Sequence, residues 1–325
     1  MHELNRRQLI AGAATLAGAA FIRPAFAQDY PTRPVRLIVP YAPGGASDIL
    51  ARLTQPFLDR EFGQAFVVDN RGGGASQVGT QAIATAAPDG YTIGIIDSAF
   101  VINPGLFGKL PYDTQKDFAP VSLLAETPLV LVVHPGVKAN SAQELVALAK
   151  SKPGEITFAS AGLGTAIHLA GEQFRQVAGI DINHIPYRGG GPSVLDLLAG
   201  KVDFTFSTIP SIKEHIIGGR VRALGVTGGR SSHLPDVPTM TEQGLGGVDS
   251  SPLFGMVAPA AVPAAIVERL SAVAGGAARN GALRDRLLEI GYVPVGSTPA
   301  EFRARIDAEI AKWTRIIQAA NIKQN

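Results

Sequence analysis

The 325-residue chain carries 29 lysines and arginines against 27 aspartates and glutamates, contains no cysteine and is 46% hydrophobic. The missing cysteine excludes disulfides, thiolate metal sites, a thiol nucleophile and a lipidated cysteine. The balanced charge gives no electrostatic case for nucleic acid binding, and the length predicts more than one core of ordinary size.

The first residues are predicted to be an export signal. Arg6 and Arg7 precede an apolar stretch over Leu9–Phe21 that is too short to span a bilayer, and Ala25-Phe26-Ala27 fits a small-x-small cleavage pattern. Removal of residues 1–27 would leave 26 basic and 26 acidic residues in the mature chain. The adjacent arginines leave Sec and twin-arginine export both open. We therefore expect a mature protein that is free in the periplasm.

Alternating strand and helix signals follow the export signal. Strands are predicted over Val35–Pro40, Phe66–Asn70 and Tyr91–Ile96, and helices over Ser47–Phe62, with Ser47 and Asp48 as caps, and over Gln77–Ala87. Such alternation favours parallel sheets with right-handed crossovers, whose ligand sites lie at the carboxyl ends of the strands. Pro56 lies inside the first helix and predicts a kink or an early end there.

A second α/β series begins with a strand over Leu129–Val133. It continues with predicted strands over Ile156–Ala159, Ile182–Pro186, Val202–Ser207 and Val221–Thr227, and with helices over Ser141–Lys150, Ala166–Ala178, from near Pro192, and near Ser211–Gly218. After a strand over Phe254–Ala258, helices near Pro263–Arg279, Leu283–Gly291 and Pro299–Ala320 have no sheet of their own. We infer that the chain returns to the first lobe, so that one lobe comprises residues 28–126 with 253–325 and the other residues 127–252. The crossings near Glu126 and Pro252 would act as a hinge.

Two glycine segments, Pro43–Asp48 and Ser160–Thr165, carry the functional prediction. Each follows a predicted strand and opens a predicted helix, so each exposes unpaired N–H groups at a helix N-terminus, where a carboxylate is favoured. Because the segments lie in different lobes, they predict a small anionic ligand that is bound from both sides. The residues expected to contact it are Gly44, Gly45, Ala46, Ser47 and Asp48 on one side and Ser160, Ala161, Gly162, Thr165 and Ala166 on the other. For Asp48 a capping role is favoured, since a second anion would repel the ligand.

Further candidates follow the predicted strands or lie near the second segment. Ser98 and Ser207 occupy strand ends, where a hydroxyl can reach a ligand or instead cap a helix. Tyr187 is expected in the cleft wall, although it could simply fill core. The side chains expected to support the contacts from behind are His168, Arg188 and Asp203. A helix N-terminus disfavours the cationic form of His168, and a solvated surface charge is the alternative for Arg188.

The mature chain resembles the Bug-type solute receptors of tripartite tricarboxylate transporters in a series of motifs that occur in order. The motifs are Tyr30-Pro31, Ile38 to Gly45 with Asp48, Asp69-Asn70-Arg71-Gly72, Pro88-Asp89-Gly90-Tyr91-Thr92, Leu110-Pro111-Tyr112-Asp113, Ser160-Ala161-Gly162 with Gly164, His168-Leu169-Ala170-Gly171-Glu172, Pro186-Tyr187-Arg188-Gly189 and Val237-Pro238-Thr239. The resemblance implies a type II periplasmic-binding-protein fold, in which two α/β lobes close on a small organic acid. It also implies delivery to a membrane permease, and recognition of the ligand carboxylate by backbone amides, hydroxyls and ordered water. The chain departs from the family pattern at Gly72–Ser76 and at Leu253-Phe254, which leaves the identity of the acid open.

An enzyme is the main alternative from another class, and the sequence lacks its motifs. G-x-S-x-G, S-x-x-K, H-E-x-x-H and Walker A patterns are absent, and Gly162-Leu163-Gly164 lacks the third glycine of a dinucleotide fingerprint. We therefore expect a monomeric binding protein without catalytic residues, metal or cofactor. A receptor that signals to a sensor kinase stays open, because transport and sensing would use the same closed lobes.

Overall fold

The computed structural model describes residues 30–319, so the predicted export signal lies outside the described residues. In chain order the elements are β1 Val35–Val39, α1 Ala46–Phe62, β2 Phe66–Asn70, α2 Gln77–Ala84, β3 Thr92–Asp97, α3 Ala99–Leu106, β4 Phe118–Glu126, β5 Leu129–Val133, α4 Ala142–Ser151, β6 Thr157–Ser160, α5 Ala166–Ala178, β7 Asn183–Pro186, α6 Gly190–Leu198, β8 Phe204–Thr208, α7 Ile209–Ile217, β9 Arg222–Val226, β10 Leu253–Pro259, α8 Ala264–Arg279, α9 Ala282–Ile290, β11 Val293–Pro294 and α10 Pro299–Ala319. Among these helices none is both long and apolar enough to cross a membrane.

The strands form two sheets, and each sheet is the centre of one α/β lobe. The six-stranded sheet of lobe 1 has the order β11-β4-β10-β3-β1-β2, and the five-stranded sheet of lobe 2 has the order β7-β6-β8-β5-β9. Strands β1 to β3 and β6 to β8 pair in parallel as predicted. The strands next to the crossings, β4, β5 and β10, pair antiparallel with their neighbours, which makes both sheets mixed.

The chain crosses between the sheets twice, and the two crossings lie side by side. Strand β4 ends at Glu126, which pairs in register with Leu253 at the start of β10. The N–H of Thr127 donates to the carbonyl of Pro252 over 3.2 Å. The division at residues 126 and 253 remains our proposal for the lobe boundaries, and two adjacent strands of this kind are suited to act as a hinge.

Each lobe has its own apolar core, which in lobe 2 comprises two clusters, and a further cluster of lobe 1 around α3 and α10, called the third cluster below, extends to α5. Leu37, Leu50 and Ile95 are fully buried in lobe 1, and Phe158 and Phe204 are fully buried in lobe 2. Burial of a side chain of this size contributes roughly 1.5–3 kcal/mol. The third cluster packs Phe100, Val101 and Leu106 of lobe 1 with Ala166 and Leu169 of lobe 2. Apolar contact thus continues across the space between the lobes.

Most predicted elements are confirmed, and the exceptions have local causes. Strands β2 and β5 and helix α5 have the predicted bounds. The expected early end of the helix at Pro56 is wrong, because α1 continues to Phe62, and the alternative of a kink stays a prediction. Pro56 is exposed, so its ring lies on the water side of the helix, where water can satisfy the carbonyl that loses its donor. Helix α6 begins at Gly190 rather than near Pro192.

Candidate ligand cleft

A cleft lies between the lobes at the carboxyl ends of the parallel strands. Residues of both lobes line it, namely Tyr41, Gly45, Ala46, Ser47, Asp97 and Phe254 from lobe 1, Ala161, Thr165, Ala166, Ile167, Gly190, Ser207, Thr208 and Ser211 from lobe 2, and Pro252 at the crossing. The lining combines small residues, hydroxyls and apolar side chains. It contains no lysine, arginine or histidine of residues 30–319.

Five helices begin at or beside this cleft, and α1 and α5 offer free N–H groups to it from opposite lobes. Helices α1, α5 and α6 start at lining residues, α7 starts directly after the lining residue Thr208, and α3 starts two residues after Asp97. Within residues 30–319, no acceptor is bonded to the N–H groups of Ala46 and Ser47 in α1 or of Ala166 and Ile167 in α5. Each helix N-terminus carries roughly half a positive charge. The cleft therefore favours an anion without any basic side chain.

The first glycine segment is fixed by Asp48 from behind. The Asp48 carboxylate accepts hydrogen bonds from the Gly44 N–H, the Arg52 guanidinium and the Asn70 amide, each at 3.0 Å. Burial disfavours the ionised form of Asp48, but hydrogen bonds from Arg52 and Gly44 outweigh burial and lower its pKa. The prediction that Ser47 and Asp48 occupy the cap position is wrong, because the N-cap is Gly45. Asp48 instead reaches back from the first turn.

The second glycine segment is held by its own side chains. Thr165 is the N-cap of α5, since its hydroxyl accepts the His168 N–H at 3.2 Å and donates to the Gly162 carbonyl at 2.7 Å. The Ser160 hydroxyl accepts the Gly162 N–H at 3.1 Å and lies 2.7 Å from Nε2 of His184. These bonds occupy both hydroxyls within the protein. Ser160 is fully buried and does not line the cleft.

Two histidines lie stacked behind this segment. The rings of His168 and His184 are 4.6 Å apart between centroids, and Nδ1 of His168 accepts the Gly164 N–H at 3.3 Å. Burial lowers the pKa of each ring to about 4. Both rings are therefore neutral at pH 7, as expected for His168, although desolvation is the main cause rather than the helix N-terminus.

Asp97 and Tyr41 are cleft residues that the sequence analysis missed. The Tyr41 hydroxyl donates to Oδ1 of Asp97 at 2.7 Å, and the Ala99 N–H donates to the same oxygen at 3.0 Å. Burial raises the pKa of Asp97 to about 6, against the opposing effect of these bonds. The strand-end rule that selected Ser98 would have found Asp97 one residue earlier, because β3 ends at Asp97.

The predicted contact residues divide into two groups. Those that line the cleft are Gly45, Ala46, Ser47, Ala161, Thr165, Ala166 and Ser207, and those that do not are Gly44, Asp48, Ser98, Ser160, Gly162 and Tyr187. The Ser98 hydroxyl accepts the Leu253 N–H at 3.0 Å, and the Tyr187 hydroxyl donates to Asp196 at 2.9 Å. Whether the first group contacts ligand stays a prediction.

Three residues were predicted to support the ligand contacts from behind, and the structure places only one of them there. His168 lies behind the second glycine segment as described, whereas the Arg188 side chain is exposed. The support expected from Asp203 is wrong, because its carboxylate accepts hydrogen bonds from Thr157 at the amino end of β6, away from the cleft. Within residues 30–319, no three histidine, aspartate or glutamate side chains form a metal site.

The lobes touch directly beside the cleft through glycines. The Ala42 N–H donates to the Arg188 carbonyl at 2.9 Å. A Cβ atom built on Gly45 would lie 3.3 Å from the Gly190 nitrogen, and one built on Gly191 would lie 2.2 Å from the Pro43 oxygen. We call residues 42–45 and 188–191 the glycine contact. A Cβ at Gly191 has no room here, so the two lobes are in direct backbone contact.

Asp97→Asn is expected to stabilise the protein at pH 7 by up to about 3 kcal/mol. The pKa of Asp97 lies near 6 in the folded protein, above its ordinary value of 3.8. The folded state therefore binds the Asp97 proton more tightly than the unfolded state does. This proton binding stabilises the folded protein at low pH, and the stabilisation is lost as pH rises through 6. Asparagine stays neutral and can still accept from Tyr41. Urea unfolding at pH 4 and pH 7 measures the free energy of unfolding of variant and parent. If the variant exceeds the parent by the same amount at both pH values, the pKa of Asp97 is not raised.

Comparison with known proteins identifies relatives over most of the chain. A family model described as Tripartite tricarboxylate transporter family receptor matches residues 50–322. Protein BugT of Bordetella pertussis is 38% identical over 311 residues, which cover 95% of each chain. The structure of the periplasmic binding protein BugD has 30% identity and a TM-score of 0.88, and the match covers 91% of this chain and 100% of BugD.

Two further solved structures of similar proteins contain carboxylates. A protein of R. palustris solved with adipate has 33% identity and a TM-score of 0.87, with 91% of this chain and 99% of that chain covered. MatC from Rhodopseudomonas palustris, solved with bound malate, has 29% identity and a TM-score of 0.83, with 89% and 100% covered. Together with the family model, these matches show that the chain belongs to the tripartite tricarboxylate transporter receptor family and is a Bug-type solute-binding receptor.

Proposed function

We propose that this receptor captures a small organic acid between its lobes in the periplasm and delivers it to a permease of the tripartite tricarboxylate type. The observation that carries the proposal is the convergence of helix N-termini on a cleft whose lining, within residues 30–319, has no basic side chain. Such a cleft suits a carboxylate. The relatives solved with adipate and malate support the same ligand class.

The carboxylate would be bound by backbone N–H groups. Those of Ala46 and Ser47 face it from lobe 1, and those of Ala166 and Ile167 from lobe 2. Hydrogen bonds to a charged group contribute about 1.5–3 kcal/mol each, so a few of them account for useful affinity without an arginine. The sequence-predicted contacts that we retain are Gly45, Ala46, Ser47, Ala161, Thr165, Ala166 and Ser207.

Both lobes must approach the ligand for this set of bonds to form. An open form could offer only the N-terminus of α1 or that of α5 to the ligand at a time, so the ligand would favour the closed form by its differential affinity for that state. The glycine contact, with the bond from Ala42 to Arg188, would add a direct interaction between the lobes in the closed form. Ligand capture and lobe closure would therefore be coupled.

Location and partners complete the proposal. Residues 1–27 would direct export by the Sec or twin-arginine route, and the mature monomer would be free in the periplasm. We propose a binding role without catalysis, in keeping with a family of receptors. The loaded, closed form would dock on permease subunits, and contact with a sensor kinase is the alternative that uses the same form.

The ligand class is tested by thermal unfolding and calorimetry with adipate and malate. Either acid, at 100 times its dissociation constant, is expected to stabilise the protein by about 2.7 kcal/mol. The corresponding diamides are matched controls, because they keep the size of the acids and lose the charge. Failure of every carboxylate in a broad screen to stabilise the protein would reject the ligand class. Unchanged uptake of a bound acid in cells that lack the receptor would reject delivery to a permease and favour sensing.

A further inference from the structure

Capture of a carboxylate by helix N-termini leaves Asp97 unexplained. Asp97 is the single carboxyl group in the described cleft lining, and no basic side chain lines the cleft beside it. An ionised carboxyl at this position repels an anionic ligand. A receptor for simple carboxylates would gain affinity from a neutral residue here, so the ligand must provide something that compensates for the charge.

The two oxygens of Asp97 have different surroundings. Oδ1 accepts the Tyr41 hydroxyl and the Ala99 N–H, which fix the orientation of the carboxyl group. Apart from the N–H of Asp97 itself, no further residue between 30 and 319 donates a hydrogen bond to this carboxyl group. Asp97 is half-buried, so Oδ2 is open to the cleft. The carboxyl is thus held rigidly with one acceptor left for a molecule in the cleft.

Donors and this acceptor lie on different parts of the same cleft. The free N–H groups of Ala46, Ser47 and Ala166 belong to helix N-termini, and Asp97 is the last residue of β3. A molecule that complements both parts has a carboxylate at one position and a hydrogen-bond donor at another. Hydroxy acids and amino acids have this pattern, whereas unsubstituted carboxylates lack the donor.

We propose that the ligand is a carboxylate that also carries a hydroxyl or ammonium group, and that Asp97 selects it by accepting that donor at Oδ2. This inference rests on the proposed function and adds a substrate class to it. Tyr41 acts as a positioning residue, because it holds the other oxygen of Asp97. The lone acceptor suits either donor, and an ionised Asp97 would favour the ammonium by charge.

The test uses three matched series of acids, each without a donor, with a hydroxyl and with an amino group. The probes are propionate, lactate and alanine; succinate, malate and aspartate; and adipate, 2-hydroxyadipate and 2-aminoadipate. At pH 8, calorimetry is expected to show a donor-bearing acid binding at least about tenfold more tightly than the plain acid of its series, because a site built to accept a donor rejects analogues that lack it. A further preference for the amino over the hydroxy acid identifies the ammonium, and its absence identifies the hydroxyl.

Asp97→Asn is expected to reduce this preference to less than about threefold, since asparagine is uncharged and can present a donor of its own. Asp196→Asn is the matched control, because Asp196 also accepts a tyrosine hydroxyl, that of Tyr187, but does not line the cleft. The control should keep the preference. A plain acid that binds as tightly as its donor-bearing partners, or a preference that survives in Asp97→Asn, would overturn the inference and leave carboxylate capture intact. Failure of all nine acids to bind, together with failure of every carboxylate in the broad screen, would instead reject the proposed function.

Discussion

Gly191→Ala is expected to prevent closure of the lobes and to weaken carboxylate binding by at least about 100-fold, which corresponds to roughly 2.7 kcal/mol. A Cβ atom at residue 191 would lie 2.2 Å from the Pro43 oxygen and 3.2 Å from the Gly44 Cα. These atoms belong to the opposite lobe, and they are backbone atoms that cannot turn away. Within lobe 2, Gly191 lies in the first turn of α6 without a positive φ, so alanine suits the helix itself.

The variant should therefore stay folded while it loses ligand. Calorimetry measures the affinity with an acid that binds the parent, and X-ray scattering measures the radius of gyration with and without that acid. Gly276→Ala is the matched control, because Gly276 lies in α8 and a Cβ there meets nothing within 4 Å. A Gly191→Ala variant that binds normally and contracts with ligand as the parent does would show that the glycine contact is not part of the ligand-bound form.

The predicted role of Gly45 illustrates what sequence reasoning can and cannot supply. The pattern of a buried strand, a glycine loop and an amphipathic helix located the segment correctly, because these signals are local. The sequence predicts that Gly45 contacts the ligand, and the structure places it in the cleft lining. In the structure its neighbour is Gly190 of the other lobe. That contact depends on how two distant segments meet, which no local pattern contains.

Helix α3 and Asp97 were also not identified from the sequence, because their roles depend on contacts between distant segments. Helix α3 contains Pro104 and Gly105, which read locally as a loop, yet Phe100 and Val101 pack into the third apolar cluster and the helix forms. Tertiary burial here outweighs weak propensity. Asp97 directly follows the predicted strand end at Ile96, but the strand-end rule was applied to hydroxyls and therefore selected Ser98. Its importance depends on the cleft that lobe 2 completes, so the strand-end rule could nominate Asp97 but not rank it.

The second prediction with a large expected effect is that acid destabilises the folded protein by protonation of His168. Its folded pKa of about 4 lies below its ordinary value of 6.5 because the ring is buried. Between these values the unfolded chain binds a proton that the folded protein excludes, so the stability is fully present above pH 6.5 and is lost as pH falls through 4. By pH 4.5 the loss from this one residue is about 2–3 kcal/mol. Protonation at Nδ1 would also remove the acceptor that holds the Gly164 N–H.

His168→Gln is expected to abolish this part of the acid sensitivity. Loss of the buried ring will lower stability at every pH, so the informative quantity is the difference between the free energies of unfolding at pH 7 and pH 4.5. That difference should be about 2–3 kcal/mol smaller in the variant than in the parent. The contribution of Asp97 is present in both proteins and cancels in the comparison, whereas His168 helps to lower the pKa of His184, so the titration of His184 is followed by NMR in each protein. An equal acid-induced loss in both proteins, or a His168 resonance that titrates near 6.5 in the folded parent, would show that the ring is hydrated, and the rigid second glycine segment would then need another support.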